Sequence, residues 1–543
     1  MYGIGSFITK SARFFPDRLA VGDIAGALTY AQLNGLVNRI ANYMLGIGLK
    51  KGSRLGFICD NCKEFAMLWL ATQKIGVVAV LLNYRATSEE LSRDVRRSGC
   101  EALFFSPKLK SILSLRDICG SGVRYFISFC DDEADGHISL DNMCQSADGN
   151  EPEVDIEEMD YSTILYTSGS TGLSKGVIRT HRMVLEYAMQ MAAEHEYYKT
   201  EPICILSHSP LFHTGGLSML MKAIVLSGTY IGINGVNPET VVKLIEKYRV
   251  TQLFLVPPVN IMRISSSEAA RDRDISSVNC VWATGGKLSK EYVLEMLRLF
   301  PGARIKTSYG ATEFCCACSI SFCCTPQELE DSPDFIESVG YIGQFVDLRI
   351  VGEDGEDVST GESGEVWVSS PFVMLGYLDD AEETAKALTN GWYHTGDIFR
   401  MDEKGLLYFV DRKSAMIKTG GENVFPNEVE SVMRGCPALA DCAVIGIPDS
   451  KWGEAVAAAV VPRDECFDMN EIVNYARDNL AGYRKPRYYL VLKDLPRTAS
   501  GKIDRRVLLD EEKYKFKDVK EIYSAQKQQK NVKGNESNFF HCS

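Results

Sequence analysis

The stretch from Tyr166 to Gly176 reads Tyr-Thr-Ser-Gly-Ser-Thr-Gly-Leu-Ser-Lys-Gly. It gathers the hydroxyls of Thr167, Ser168, Ser170 and Thr171, the glycines Gly169 and Gly172, and the ammonium of Lys175. Glycine lets backbone N–H groups come close to an anion, hydroxyls add donors, and lysine adds a point charge, so the chemistry on offer is polyphosphate binding. The loop is not a Walker A loop, because Ser174 stands where that pattern needs its second glycine. Nor is it a nucleophile elbow, since Gly-x-Ser-x-Gly is absent from it. The apolar run 162–166 ahead of it reads as a buried strand, and residues 183–198 behind it carry apolar side chains at helical spacing. The sequence therefore predicts a strand, a phosphate loop and a helix, not a flexible Gly/Ser linker.

Other loops with unusual chemistry follow short strand patterns. Phe212-His213-Thr214-Gly215-Gly216 comes after 203–206, Thr284-Gly285-Gly286 after 280–283, and Tyr309-Gly310-Ala311-Thr312-Glu313 after 304–307. Ligands of open parallel sheets sit beyond the carboxyl ends of the strands, so these loops are expected to share one site. Glu313 is a hard oxygen ligand of the kind Mg²⁺ uses. Further on come Tyr393-His394-Thr395-Gly396-Asp397, Asp411-Arg412, Lys418-Thr419-Gly420-Gly421-Glu422-Asn423 and Pro496-Arg497-Thr498-Ala499-Ser500-Gly501-Lys502.

The elements that position these loops alternate between strand and helix, the signature of an α/β fold. At 543 residues the chain exceeds one ordinary core. Asn237-Pro238-Glu239 predicts a capped helix with Val241, Leu244, Ile245 and Tyr248 on one face. From about residue 336 the pattern turns strand-rich and glycine-punctuated, which predicts a small antiparallel subdomain or barrel. A small α+β domain is expected to end near residue 512, and residues 513–543, lysine-rich and aperiodic, are expected to form a disordered polar tail.

Net charge of −13 argues against a nucleic-acid binder. No apolar run approaches a membrane span, and the N-terminus lacks the pattern of a signal peptide, so the cytoplasm is the default compartment. Most of the 17 cysteines are scattered singly in apolar runs, as reduced buried cysteines are. Cys315, Cys316, Cys318, Cys323 and Cys324 cluster without the paired C-x₂-C spacing of structural zinc sites, which favours a wall of small residues over a metal.

Taken in order, these motifs resemble the adenylate-forming superfamily of acyl-CoA synthetases, peptide-synthetase adenylation domains and beetle luciferases, over residues 12–510. The resemblance implies an α/β fold with a large N-terminal domain, residues 1–411, of two αβ sheets plus a small distorted β-barrel, and a mobile α+β domain, residues 412–512. It implies that a carboxylic acid attacks the α-phosphate of ATP with Mg²⁺ on Glu313. The thiol of coenzyme A then takes the acyl group, with release of AMP. In that reading Thr167, Ser168, Gly169, Ser170, Thr171, Gly172 and Lys175 hold phosphate, and Gly285, Gly286, Tyr309, Gly310, Ala311 and Thr312 contact the nucleotide. Asp397 takes the ribose hydroxyls, Arg412 reaches ribose or phosphate, and Lys502, Glu313, Thr312 and His213 serve catalysis. Lys418, Gly420, Gly421 and Glu422 line the path of coenzyme A. Ser414 stands at the hinge, where relatives often have Asp or Lys. His213 stands where amino-acid-activating members place an aspartate, which disfavours an α-amino acid.

Phe212, His213, Thr284, Gly285, Gly286, Gly310, Ala311 and Phe314 form the expected acid pocket, without a fixed cation. That suits a medium- or long-chain fatty acid. An aryl acid, transfer to a carrier protein and a catalytically inactive nucleotide-binding protein are the alternatives, and a homodimer is left open as the assembly.

Overall fold

The computed structural model describes residues 3–106, 122–129, 137–167, 174–193, 202–255, 259–270, 273–284, 288–320, 325–331, 333–464, 467–497, 503–510 and 513–522. The chain divides into two compact units. One comprises Met1–Arg349, Trp367–His394 and Lys404–Tyr408, the other Ile350–Val366, Thr395–Glu403 and Phe409–Ser543.

The first unit contains two large sheets. The eight-stranded sheet runs Gly376–Tyr377, Lys175–Thr180, Tyr161–Thr167, Val78–Leu81, Arg54–Ile58, Ala102–Phe105, Tyr125–Ser128, Ile138–Ser139. Its pairs are parallel from Tyr161–Thr167 onward and antiparallel at the other edge. The seven-stranded sheet runs Arg304–Lys306, Cys280–Ala283, Gln252–Leu255, Cys204–Ser207, Thr229–Gly232, Leu19–Gly22, Ala27–Thr29. Only its last pair is antiparallel. The strands Val78–Leu81, Ala102–Phe105 and Thr229–Gly232 are buried at every residue, as strands covered on both faces are.

The connecting helices carry their own start signals. Thr29 with Gln32, and Thr87 with Glu90, form capping boxes. Asn237 caps the helix Pro238–Tyr248 by accepting from the Thr240 amide, as its sequence predicts, and Val241, Leu244 and Ile245 are buried while Tyr248 packs at the margin of that core.

The element after the phosphate loop departs from expectation. The chain leaves the loop into a second strand, Lys175–Thr180, antiparallel to Tyr161–Thr167, with Thr167 opposite Lys175. The helix begins only at His181 and runs to Ala193. The loop thus joins a hairpin, and no helix N-terminus follows it directly. Gly176-Val177-Ile178-Arg179-Thr180 has the β-branched residues of a strand, and Ile178 and Val177 pack opposite Ile164 and Leu165.

The strand-rich stretch follows where the glycines place it, with strands Asp347–Val351, Ser363–Ser369, Leu388–Thr389, Trp392–Met401 and Leu407–Arg412.

The second unit holds a six-stranded sheet in which Glu422–Val424, Ile417–Thr419, Gly453–Pro462, Tyr488–Val491 and Lys517–Asp518 run in order and Leu439–Asp449 pairs with Gly453–Pro462. Helices Pro426–Met433 and Met469–Asn479 cover it through Val429, Met433, Ile472, Val473 and Ala476. The expected tail begins at residue 513, but described residues as far as 522 belong to this sheet and its core. Lys517–Asp518 pairs with Tyr488-Tyr489, the Val519 amide donates to the Arg487 carbonyl at 2.9 Å, and Ile522 is buried. Backbone pairing at a sheet edge needs no apolar run, so lysine-rich sequence hides it. Residues 523–543 lie outside the described residues.

Candidate active site

Residues 168–173, and with them Ser168, Gly169, Ser170, Thr171 and Gly172, lie outside the described residues, as do Gly285, Gly286 and Lys502. The base of the phosphate loop is described on both sides. Tyr166, next to last in its strand, has its hydroxyl 2.7 Å from the Ser98 hydroxyl, and burial pushes the phenol up to about 12. On the return strand Ser174 donates to Asp94 at 2.6 and 2.7 Å, and Arg97 donates to the Ser174 carbonyl. Both ends are therefore pinned to the helix Ser88–Ser98, which holds the loop's span constant. Gly176 lies so close to Tyr166, Ile164 and Leu378 that a Cβ would meet them at 3.1–3.3 Å.

Lys175 points to Glu383, 2.6 Å away, and stands over the ring of Tyr377, 4.8 Å from its centroid. Hydrogen bonds from Lys175 and Lys386 bring the Glu383 carboxyl down to about 2. The hydroxyl of the same Tyr377 donates to Glu313 Oε1 at 3.1 Å. Burial and the neighbouring Glu313 carboxylate hold that phenol well above its ordinary range. Tyr377 thus joins the loop lysine to the acidic residue of the Tyr309–Glu313 motif, and no motif in the sequence flags it. The main chain fixes the same point, since the Met374 amide donates to the Glu313 carbonyl at 2.6 Å. One oxygen of Glu313 carries the tyrosine bond, and carboxylate capacity for a hard divalent cation remains at the other, so the residue fits Mg²⁺.

Tyr309 and Phe314 pack ring to ring at 5.7 Å, and Phe314, fully buried, continues to Tyr393 at 5.6 Å. Thr284 donates its hydroxyl to the Ser308 carbonyl at 2.6 Å, so this side chain positions the strand carrying Tyr309 and Gly310. Ala311 and Thr312 follow in the turn before Glu313. Phe212 is buried, edge-on to Tyr84 at 5.4 Å, while the His213 ring lies tilted against Phe212 at 4.3 Å and is itself exposed. His213 precedes the first residue of the helix Thr214–Val225. Gly216 permits that entry, because a Cβ there would meet the Pro210 carbonyl at 2.2 Å.

The acid-pocket residues foreseen from sequence carry no cation, but the structure adds one beside them. Arg179 is buried, and its Nη2 donates to the Thr214 hydroxyl at 2.9 Å and to the Thr312 carbonyl at 2.6 Å. The available signal is an arginine directly after the apolar pair Val177-Ile178 in a strand buried from Gly176 to Thr180.

The remaining predicted residues belong to the second unit. Asp397 is 2% exposed, and its Oδ1 lies 3.0 Å from Nε of the exposed Arg412. Thr395 accepts from the Asp397 amide, and Glu365 accepts from the Gly396 amide at a left-handed φ of 68° that favours glycine. Asp411 accepts from the amides of Arg412 and Asn427, both at 2.8 Å, while burial raises its carboxyl. Ser414 sits exposed in the 3₁₀ turn Lys413–Ala415. Lys418 and Glu422 are exposed on a tight hairpin whose turn is Gly420-Gly421. Both glycines have positive φ, 61° and 88°, as a type I′ turn demands. The glycine pair is therefore required by the hairpin itself, before any ligand is considered.

Among the described residues no group of three or more His, Cys, Asp or Glu side chains could hold a metal ion. Cys315 is buried with its thiol toward the Phe372 carbonyl at 3.7 Å, while Cys323 and Cys324 lie outside the described residues. No described helix is long and apolar enough to cross a membrane.

The hairpin of Tyr161–Thr167 and Lys175–Thr180, with Tyr377, Glu313 and the rings of Tyr309 and Phe314 beside it, is the part of the first unit in which the sequence motifs meet. The chain belongs to the AMP-binding enzyme family, whose model matches residues 8–378, with the family's C-terminal domain matching 428–502; within the adenylate-forming superfamily it falls in the CoA ligase branch. It is 33% identical to a feruloyl-CoA synthase of Amycolatopsis sp over 508 residues, 92% of this chain and 97% of that protein. It is 32% identical to a long-chain-fatty-acid–CoA ligase of Mycobacterium tuberculosis, over 89% of this chain and 93% of that one. Among solved structures, the o-succinylbenzoate CoA synthetase of Bacillus subtilis with its acyl-adenylate intermediate matches at TM-score 0.79 and 28% identity, covering 93% of this chain and 98% of that one. The acids named in these relatives differ.

Proposed function

We propose that the protein is an ATP-dependent acid–thiol ligase that converts a carboxylic acid to its acyl-adenylate and then to its coenzyme A thioester, releasing pyrophosphate and AMP. The observation that carries this reading is the meeting of Lys175 and Glu313 on Tyr377: a phosphate-binding cation and a metal-suited carboxylate share one support.

In the first step the hydroxyls and amides of residues 168–172, with Lys175, hold the leaving phosphates. Glu313 would hold Mg²⁺, which neutralises phosphate charge when bound. Tyr309 offers its face to the base, Thr312 donates to the α-phosphate, and the buried carboxylate of Asp397 accepts from the ribose hydroxyls, with Arg412 steadying it. Lys502 lies between two anions, the attacking carboxylate and the α-phosphate, and reduces their repulsion. Coenzyme A passes along Lys418, Gly420, Gly421 and Glu422. The residues after 411 form the domain that moves between the two steps, with Ser414, exposed in a short turn, as the hinge.

For the acid, Phe212 and Phe314 give an apolar body-binding wall, which supports a medium- or long-chain fatty acid; an aryl acid is the second reading, favoured by the ring pairs Tyr84–Phe212 and Tyr309–Phe314. Free coenzyme A is the acceptor, in the cytoplasm. A panel of fatty and aryl acids with MgATP, offered coenzyme A or a phosphopantetheinyl carrier protein, tests this. Acyl-CoA formation with fatty acids supports it, and turnover with the carrier alone overturns the acceptor.

A further inference from the structure

Arg179 has no role in the reaction outlined above. It is 1% exposed, in the strand Lys175–Thr180 and opposite Thr163. Its Nη2 is used by Thr214 and Thr312, whereas its Nε and Nη1 are buried with no hydrogen-bond partner. Among the described residues no carboxylate pairs with it. A guanidinium cannot shed its proton at any ordinary pH. Buried without a counter-ion it is strongly unfavourable, and unpaired buried N–H groups add to that cost. Such an arrangement is expected where a ligand brings the missing acceptor.

The two anchors locate that ligand. Thr214 directly follows Phe212 and His213, on the acid side, and Thr312 directly precedes Glu313. The strand register separates Arg179 from the phosphate. Lys175 pairs with Thr167 at the loop, and Arg179 lies four residues further along, about 13 Å at the rise of a strand. The guanidinium is therefore set back along the strand from the phosphate loop, and its Thr214 contact puts it against the segment Phe212–Thr214 that the ligase reading assigns to the acid side.

We propose that Arg179 is a specificity residue of the acid site, binding through Nε and Nη1 a second oxyanion, a carboxylate, carried on the otherwise apolar body of the acid. The inference rests on the ligase reading and narrows its substrate from a plain fatty or aryl acid to one with an acidic second group. Nη2 keeps its bonds to Thr214 and Thr312, so the residue also fixes the helix entry and the Thr312–Glu313 turn when the acid is absent.

The test compares wild type, Arg179→Lys and Arg179→Met on matched acids: saturated monocarboxylates of eight to sixteen carbons against the α,ω-dicarboxylates of the same lengths, and cinnamate against 4-carboxycinnamate. AMP release gives kcat/KM for each acid, and thermal denaturation with each acid reads binding without turnover. Wild type should favour the diacid of a matched pair by about tenfold or more, the scale at which a site built for a polar group rejects the analogue lacking it. Arg179→Met should abolish that preference through the KM of the diacid, over and above any change shared by the plain acids and ATP, and Arg179→Lys should retain part of it. A wild-type preference for the plain acids overturns the proposal. So does an equal loss on every acid in Arg179→Met, which would make the arginine a brace or a partner of the reacting carboxylate. If no acid yields AMP, the ligase reading has failed separately. The diacids must then still raise the unfolding midpoint of wild type and not of Arg179→Met, and absence of that difference overturns the arginine's role. Should Arg179→Met not fold, the ratio in Arg179→Lys decides.

Discussion

Lys175 and Glu383 form an ion pair at 2.6 Å, so the lysine of the phosphate loop is engaged before any phosphate arrives. The carboxylate is held down to about 2, chiefly by the hydrogen bond from Lys175. Its contribution is therefore complete above the ordinary carboxylate value of 4.5 and is lost only as pH falls through about 2. Over any working pH the phosphates of ATP must compete with Glu383 for one ammonium.

Glu383→Gln should consequently lower the KM for ATP, by about two- to fivefold, the modest scale of a partly exposed ion pair. Lys175→Met should raise it. Steady-state kinetics at saturating acid measures both, and a higher KM in Glu383→Gln would mean that the carboxylate presents the lysine instead of competing for it.

Asp397→Ala should raise the KM for ATP by about ten- to a hundredfold, since hydrogen bonds to a charged group contribute about 1.5–3 kcal/mol each. The side chain is buried beside Arg412 in the strand Trp392–Met401, whose backbone the substitution leaves in place, so the far-ultraviolet circular dichroism should be unchanged. Unaltered ATP kinetics in the variant would remove Asp397 from the ribose site.

His181 is buried at the start of its helix with neither ring nitrogen hydrogen-bonded, and burial lowers it from 6.5 to about 4. The unfolded chain binds the proton more readily, so stability is complete above pH 6.5 and falls as pH drops from 6.5 toward 4. Denaturant titrations at pH 7 and pH 5 should show this loss in wild type and a smaller one in His181→Phe. Equal losses would show that another group governs the acid limb.

Lys502 is expected to serve adenylation alone. The segment it belongs to is closed at its base by the bridge Arg497–Ile503 and by the Asp504 amide on the Pro496 carbonyl at 2.8 Å, and Arg505 is tied to the buried Glu430 at 2.6 Å. Lys502→Ala should cut acid-dependent pyrophosphate exchange by about 10²–10³, by analogy with a lost oxyanion donor. Thioester formation from synthetic acyl-adenylate and coenzyme A should stay near wild type. A parallel fall in both half-reactions would contradict a domain that alternates between them.

Much of the fold is legible in the residues. The strand Cys280–Ala283 ends just before Thr284, and the helix at Asn237-Pro238 begins where its cap predicts, whereas Tyr309 and Gly310, expected in a loop, lie in the short strand Ser308–Gly310. What escapes the sequence depends on partners distant in the chain. The strand Lys175–Thr180 needs Tyr161–Thr167 beside it, and without that neighbour its residues continue smoothly into the helical pattern. The edge strand Lys517–Asp518 uses backbone bonds that side chains do not advertise. Tyr377 joins the site through residues 64 and 202 positions away, Glu313 and Lys175, and a lone tyrosine carries no spacing to be read. The Gly420-Gly421 pair is set by a hairpin turn between two strands of three residues each, too short to show in the sequence.

The central claim is that the enzyme transfers AMP to an acid, and the identity of the nucleotide product tests it most directly. With MgATP, coenzyme A and an acid that supports turnover, phosphorus NMR of the quenched reaction should show AMP and pyrophosphate in equal amounts, formed only when the acid is present. ADP and orthophosphate as the products would contradict the account.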